Sequence, residues 1–266
     1  MQPSRKPISG RSGLARHIEV SRLIPVMALC LSGCASLSTT DPTAGNVHET
    51  LKVLAERNHV CAVAVAVIKH RKLDSMDAAS GCLPAPSLNS DSVFQAASLS
   101  KPVFGYAVLK LVEQGKLALD APVMKYLPQG YRHRFDPLKA EPSDLVTDTR
   151  LQEVTVRMVL NHTSGLPNWA PGPLKFDASP GMEWHYSGEG YLLLQRAVEA
   201  VTGQPLNKFM TSEVFKPLAM NHSDYVWNEQ IAPNLLPGTK ANGAPRTTMN
   251  LKDPVAAFGF VAVRSS

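Results

Sequence analysis

The longest apolar stretch outside the first segment is Val60–Ile68 (VCAVAVAVI), a run of β-branched and small residues that predicts a buried strand. A polar break, Lys69-His70-Arg71-Lys72, follows, and Leu73–Gly81 can return as its antiparallel partner. With Arg71-Lys72 as the loop, Cys61 and Cys82 face each other at a non-hydrogen-bonded pair, whose Cα spacing suits a disulfide. Two separate buried thiols are the other reading. Further on the period changes to that of helices. Lys101–Gly115 predicts a helix buried over most of its length and stopped by Gly115. Prolines from Pro122 to Pro180 break the next stretch into loop, leaving one short helix over Thr155–His162 capped by Thr155. Gly190–Val201 is amphipathic and stops at Gly203; Leu206–Phe215 is a further helix, ended by Pro217. After Val226 the chain reads as polar loop until Ala256–Val263, and no internal repeat is found.

The 266 residues, 44% hydrophobic and 18% charged, suffice for one sizeable domain or two small ones. Four cysteines are too few for a disulfide-built scaffold. The net charge of +5 invites an anionic partner until its distribution is considered. Arg5, Lys6, Arg11, Arg16 and Arg22 stand against Glu19 alone in residues 1–33, so most of the excess lies there. The rest is close to neutral and has no basic cluster interleaved with aromatics, so no nucleic-acid partner is expected. The apolar run Leu23–Leu31 is too short to span a bilayer. A basic segment before a short apolar one reads as an export signal over residues 1–33. Leu31-Ser32-Gly33-Cys34 resembles a bacterial lipobox, which would make Cys34 the lipidated N-terminus of an envelope protein. An ordinary signal peptide with an incidental cysteine is the alternative. Residues 34–46 read as a polar tether, and 47–266 as the folded domain.

Ser98-Leu99-Ser100-Lys101 is an S-x-x-K. Pro102 is tolerated only in a helix's first turn, which sets Ser98 at or beside the N-terminus of the 101–115 helix. The i,i+3 spacing puts Ser98 and Lys101 on one face, next to free backbone N–H groups and the positive end of the helix dipole. Such an arrangement suits an acyl-transfer nucleophile, with Lys101 accepting the serine proton and the Ser98 N–H helping to hold an oxyanion. The motif taken alone equally fits a helix cap with a solvated lysine.

The surrounding residues widen the pattern. Val93–Pro128, including Gly115–Val123 (GKLALDAPV), resembles the serine β-lactamase and penicillin-binding protein superfamily, in its class C β-lactamase, D-alanyl-D-alanine carboxypeptidase and esterase branch. Val154–Pro167, with its His-Thr-Ser-Gly-Leu-Pro string, is similar to a loop of the same branch, and Pro180–Leu206 to its second catalytic motif and following helix. The resemblance implies an α+β fold: an antiparallel sheet flanked by helices, a mainly helical second lobe, and Ser98 between them. It implies Ser98 as nucleophile and Tyr186, of Tyr186-Ser187-Gly188, as the tyrosine that works with Lys101. A phenol beside a lysine and a helix N-terminus can be shifted down from its reference value near 10. Gly188 departs from the family, where class C enzymes usually carry an asparagine that contacts lysine and substrate. That disfavours β-lactam hydrolysis and favours peptidase or esterase chemistry.

His162-Thr163-Ser164-Gly165 lies in the wrong place for the family's third motif, and Pro237-Gly238-Thr239-Lys240 does not match it. Ala256-Ala257-Phe258-Gly259-Phe260 resembles the string that precedes the family's last strands, so the resemblance implies a domain incomplete at its C-terminus. The histidines, His162 among them, show no metal-ligand spacing and read as surface or loop residues; no cofactor or metal is expected. Trp169, Trp184 and Trp227 could line a cleft or simply pack. The expected partner is a small amide or ester substrate, a peptidoglycan peptide among the candidates, reached by a serine hydrolase held to the membrane through a lipid anchor. A catalytically silent envelope lipoprotein that binds peptidoglycan or a protein is the alternative.

Overall fold

A computed structural model describes residues 47–83, 85–139, 143–248 and 251–262. The expected signal segment, the tether and Cys34 lie outside the described residues. The fold is α+β. Helix α1 (Val47–Arg57) precedes the hairpin of β1 (Val63–Lys69) and β2 (Lys72–Ala79). Strand β3 (Val93–Gln95) leads through a 3-10 turn, Ala97–Leu99, into α2 (Ser100–Glu113). A short hairpin, β4 (Arg132–Arg134) with β5 (Ser143–Leu145), is followed by α3 (Val156–Leu160), α4 (Gly188–Thr202) and α5 (Leu206–Met210). Strand β6 (Phe260–Ala262) returns to pair antiparallel with β3. Among the described residues the strands therefore form antiparallel pairs, β1 with β2, β3 with β6 and β4 with β5.

The hairpin corrects one expectation. The loop is His70-Arg71, not Arg71-Lys72, because Lys69 pairs with Lys72. Both loop residues have positive φ, 50° and 64°, the backbone of a tight turn whose twist matches the strands even without glycine or asparagine. An irregularity between Val67 and Ile68 then shifts the register, so that Val63 pairs with Ala79. Extended outward, this register runs one residue short of setting Cys61 directly opposite Cys82. The two cysteines are nonetheless disulfide-bonded, with Cα atoms 4.7 Å apart, just beyond the strand ends. The Gly81 N–H donates to the Val60 carbonyl (2.9 Å) and closes the ladder there. A Cβ on Gly81 would overlap the Ala55 carbonyl, so only glycine lets the strand end lie against α1.

The main core is helical. Phe104, Val108 and Leu111 of α2 pack with Val156 and Val159 of α3, Leu193, Leu194 and Val198 of α4, and Phe209 and Met210 of α5. Sequence-local devices set where these helices begin and end. The Thr155 side chain accepts from the Met158 N–H and starts α3; the Ser187 hydroxyl accepts from the Gly190 N–H (2.8 Å) and starts α4. Gly203, at φ 67°, ends α4 in the left-handed conformation. The helix expected over Leu206–Phe215 is α5 followed by one wider turn, Thr211–Phe215. A smaller cluster, Val93, Ile231, Leu251 and Phe260, supports β3 and β6. β3 is the strand that delivers the chain to Ser98.

Candidate active site

Ser98 lies in the 3-10 turn that opens α2, where backbone N–H groups lack intrahelical acceptors. The turn is held from both sides. The Ala96 N–H donates to the Gly259 carbonyl (2.8 Å), and the Tyr225 hydroxyl donates to the Ser100 carbonyl (2.6 Å). Ala97 is left-handed, at φ 45°, a conformation that costs a residue with a Cβ about 1–2 kcal/mol. The surrounding anchors offset that strain, and the outcome is an exposed Ser98 one residue later.

Lys101 follows one turn on, and its side chain is 2% exposed. Its Nζ donates to Ser98 Oγ at 3.0 Å. The same nitrogen lies 4.9 Å from the ring centre of Tyr186 and 5.8 Å from those of Tyr191 and Trp169. A cation ringed by aromatic faces keeps favourable electrostatics while water is excluded. Tyr186 lies beside both groups. Burial pushes its phenol up, but hydrogen bonds to Lys101 and Ser98 and the Lys101 charge outweigh burial and leave it below the ordinary tyrosine value. Ser98, Lys101 and Tyr186 thus come together at one end of a cleft of about 480 Å³.

His162 is in the cleft too, although its sequence context reads as a structural loop. Its φ of 62° is left-handed, and its ring lies 4.5 Å from that of Tyr186 and 5.3 Å from that of Tyr191. Its Nδ1 accepts from the Ser187 backbone N–H at 3.1 Å. An amide N–H can only donate, so the neutral ring must carry its proton on Nε2. Burial, and then the Lys101 charge, hold the imidazole below its ordinary value and favour that neutral form. Burial, and then Tyr186, push the Tyr191 phenol up, so Tyr186 and Tyr191 are shifted in opposite directions.

Gly188 is explained by what lies against it. A Cβ there would come 2.5 Å from the Asn168 carbonyl oxygen and 2.8 Å from a ring carbon of Trp169. The Trp169 indole fills the space beside residue 188 and is stacked on Phe258, with ring centres 5.4 Å apart. The neighbouring Ala170 N–H donates to Glu189 Oε1 at 2.9 Å. Glu189 is 1% exposed, and its other oxygen lies 3.2 Å from Nε2 of the fully buried His133, without the alignment of a hydrogen bond. The segment around Gly188 therefore packs against the β4–β5 hairpin through a buried carboxylate and imidazole. Sequence reasoning did not find His162, Tyr191 or Glu189 as site residues, and it left Trp169 open between cleft and packing. The one signal for His162 was its place in the His-Thr-Ser-Gly-Leu-Pro string.

Known proteins bear on this geometry. The family described as Beta-lactamase matches residues 47–265. "Esterase EstB" of Burkholderia gladioli is 31% identical over 211 residues, covering 66% of this chain and 49% of that protein. "Penicillin-binding protein 4*" of Bacillus subtilis is 29% identical over 169 residues, 55% of this chain and 33% of that protein. A "Putative D-alanyl-D-alanine carboxypeptidase" of Escherichia coli is 26% identical over 183 residues, 60% of this chain and 38% of that protein. The chain spans about half or less of the length of these curated relatives.

Proposed function

That the chain belongs to the beta-lactamase family is the premise from which we propose a serine hydrolase that works through an acyl-enzyme on Ser98. The observation that carries the reading is the Lys101 Nζ to Ser98 Oγ contact of 3.0 Å, beside a phenol held below its ordinary value. Ser98 Oγ attacks the substrate carbonyl carbon as its proton passes to the Tyr186 oxygen. Lys101 supplies the positive charge that favours Tyr186 as the phenolate, the form that can accept this proton. The Ser98 N–H, at the start of the helix, donates to the carbonyl oxygen as it turns negative. The carbonyl carbon then loses its leaving group, which takes the proton from Tyr186. Water repeats the sequence on the acyl-enzyme, giving its proton to Tyr186 and releasing the acid, with that proton returning to Ser98.

Among substrates of this chemistry we favour carboxylic esters over β-lactams and D-Ala peptides. Support comes from Gly188 and Trp169: an indole occupies the space where an amide side chain would reach the substrate. A hydrogen-bonding partner for an amide substrate is thereby replaced by an apolar wall. A relative carrying the name esterase is in keeping with this. Export with a lipid anchor on Cys34 is part of the same proposal. It rests on the Leu31-Ser32-Gly33-Cys34 pattern, and the Cys61–Cys82 disulfide suits an oxidising compartment.

The test compares wild type with Ser98→Ala on p-nitrophenyl butyrate, nitrocefin and a fluorescent penicillin. Turnover of the ester should fall about a thousandfold or more in the variant, and wild type should prefer the ester. Equal turnover by both proteins would overturn the assignment of Ser98. Faster hydrolysis of nitrocefin than of the ester would overturn the choice of substrate.

A further inference from the structure

The cleft does not end at the catalytic group. Its floor continues along the exposed side of α2 through Pro102, Gly105, Tyr106 and Leu109, and Leu160 closes it on the other side. With Ser98 and Lys101 these positions step by three and four residues, so they form one stripe on one helix face. At 1.5 Å per residue the stripe runs about 16 Å from Ser98 to Leu109. Ser100, Lys101, Phe104, Ala107, Val108 and Leu111 of α2 are buried, whereas Tyr106 and Leu109 are about half exposed, at 47% and 49%. Lys101 is the one charged side chain lining the cleft among the described residues, and it sits at the Ser98 end. Gly105 leaves the middle of the floor without a side chain; a Cβ there would meet only Leu160 Cδ2, at 3.7 Å.

We infer that this stripe is an acyl-chain subsite, which takes the aliphatic chain of an ester whose carbonyl is held at Ser98. The inference rests on the hydrolase reading for the attachment point and on the apolar stripe for the chain. An aliphatic chain is the occupant that matches the surface. The track is open and mainly apolar, begins at the acylated oxygen, and past Lys101 offers no charge or backbone ladder to a peptide. Past Leu109 it opens to solvent, so chain length beyond the track should add nothing. A methylene fully removed from water is worth about fourfold in an equilibrium, and one half-covered in an open track about twofold.

The experiment has two arms. In the first, kcat/KM is measured for p-nitrophenyl acetate, butyrate, hexanoate, octanoate and dodecanoate with wild type and Gly105→Leu. The wild-type value should rise about twofold per methylene through dodecanoate, whose extended chain is still shorter than the track. Gly105→Leu, whose side chain fills the track and improves helix propensity, should lower the octanoate-to-acetate ratio at least tenfold. In the second arm, calorimetry follows octanoate binding to Ser98→Ala, with and without Gly105→Leu; the added substitution should weaken binding at least tenfold. Esters hydrolysed with a flat chain-length profile, or a ratio unmoved by Gly105→Leu, would overturn the subsite and leave the hydrolase standing. Octanoate binding that is unaffected by Gly105→Leu would also overturn it. No ester turnover by wild type, together with octanoate binding that Gly105→Leu abolishes, would support the subsite and overturn the hydrolase.

Discussion

Replacing Gly188 by alanine forces a carbon atom to within 2.5 Å of the Asn168 carbonyl oxygen and 2.8 and 2.9 Å of two Trp169 ring carbons. The carbonyl belongs to the backbone and cannot swing aside. The indole is clamped against Phe258. Overpacking of this kind costs about 1–3 kcal/mol. One effect opposes it: alanine gains up to about 1 kcal/mol over glycine in a helix interior, and less at the first position of α4, where residue 188 stands. The overlap wins, and the net loss should be about 1–2 kcal/mol. For a domain of this size that lowers the melting temperature by about 2–8 °C, read by circular dichroism or calorimetry. Because the displaced indole also faces Lys101, kcat/KM on an ester should fall with stability. Trp169→Ala added to Gly188→Ala removes two of the three overlaps and should recover part of the loss relative to Trp169→Ala alone. A Gly188→Ala protein that melts at or above wild type would refute the reasoning, since helix propensity would then outweigh the contacts.

His162 has a folded-state value below its unfolded 6.5, so the folded protein declines a proton that the unfolded chain accepts. Its contribution is intact above pH 6.5 and is lost as pH falls from there through the folded value. Urea midpoints at pH 7.5 and 5.0 should therefore differ less in His162→Gln than in wild type, and an unchanged difference would remove His162 as the cause. Opening the Cys61–Cys82 disulfide, which spans 21 residues, should cost about 3 kcal/mol by loop entropy, measured by denaturant titration with and without reductant. A loss below about 0.5 kcal/mol would show that the reduced chain is already restrained. Glu189→Ala strands the part-buried Ala170 N–H and should cost about 1–3 kcal/mol in urea unfolding. A cost typical of a surface substitution would mean that this hydrogen bond contributes nothing.

Legibility tracked the range of the interactions concerned. The start of α3 could be read because its cap, Thr155, bonds three residues ahead, and the end of α4 because Gly203 stops the helix at its own position. The pairing of Lys101 with Ser98 could be read because one helical turn brings i and i+3 together. The turn of the first hairpin was misread because neither His70 nor Arg71 is a residue type that signals positive φ. One irregularity after Val67 then moved every later pair. β3 with β6 was beyond reach, since Val93 and Ala262 meet only when the chain has folded around α2.

By itself, then, the sequence determined an S-x-x-K at the head of a buried helix and an apolar strand just past a cysteine. Both rest on contacts a few residues long, where capping, period and propensity act alone; the tyrosine motif was legible only through the family resemblance. The tertiary structure decided that Trp169 lies against Gly188, that the His162 ring lies beside Tyr186, and that Lys101 is enclosed by three aromatic rings. Those contacts join segments far apart in the chain. Their geometry follows from how the helices pack, and no local pattern of residues encodes it.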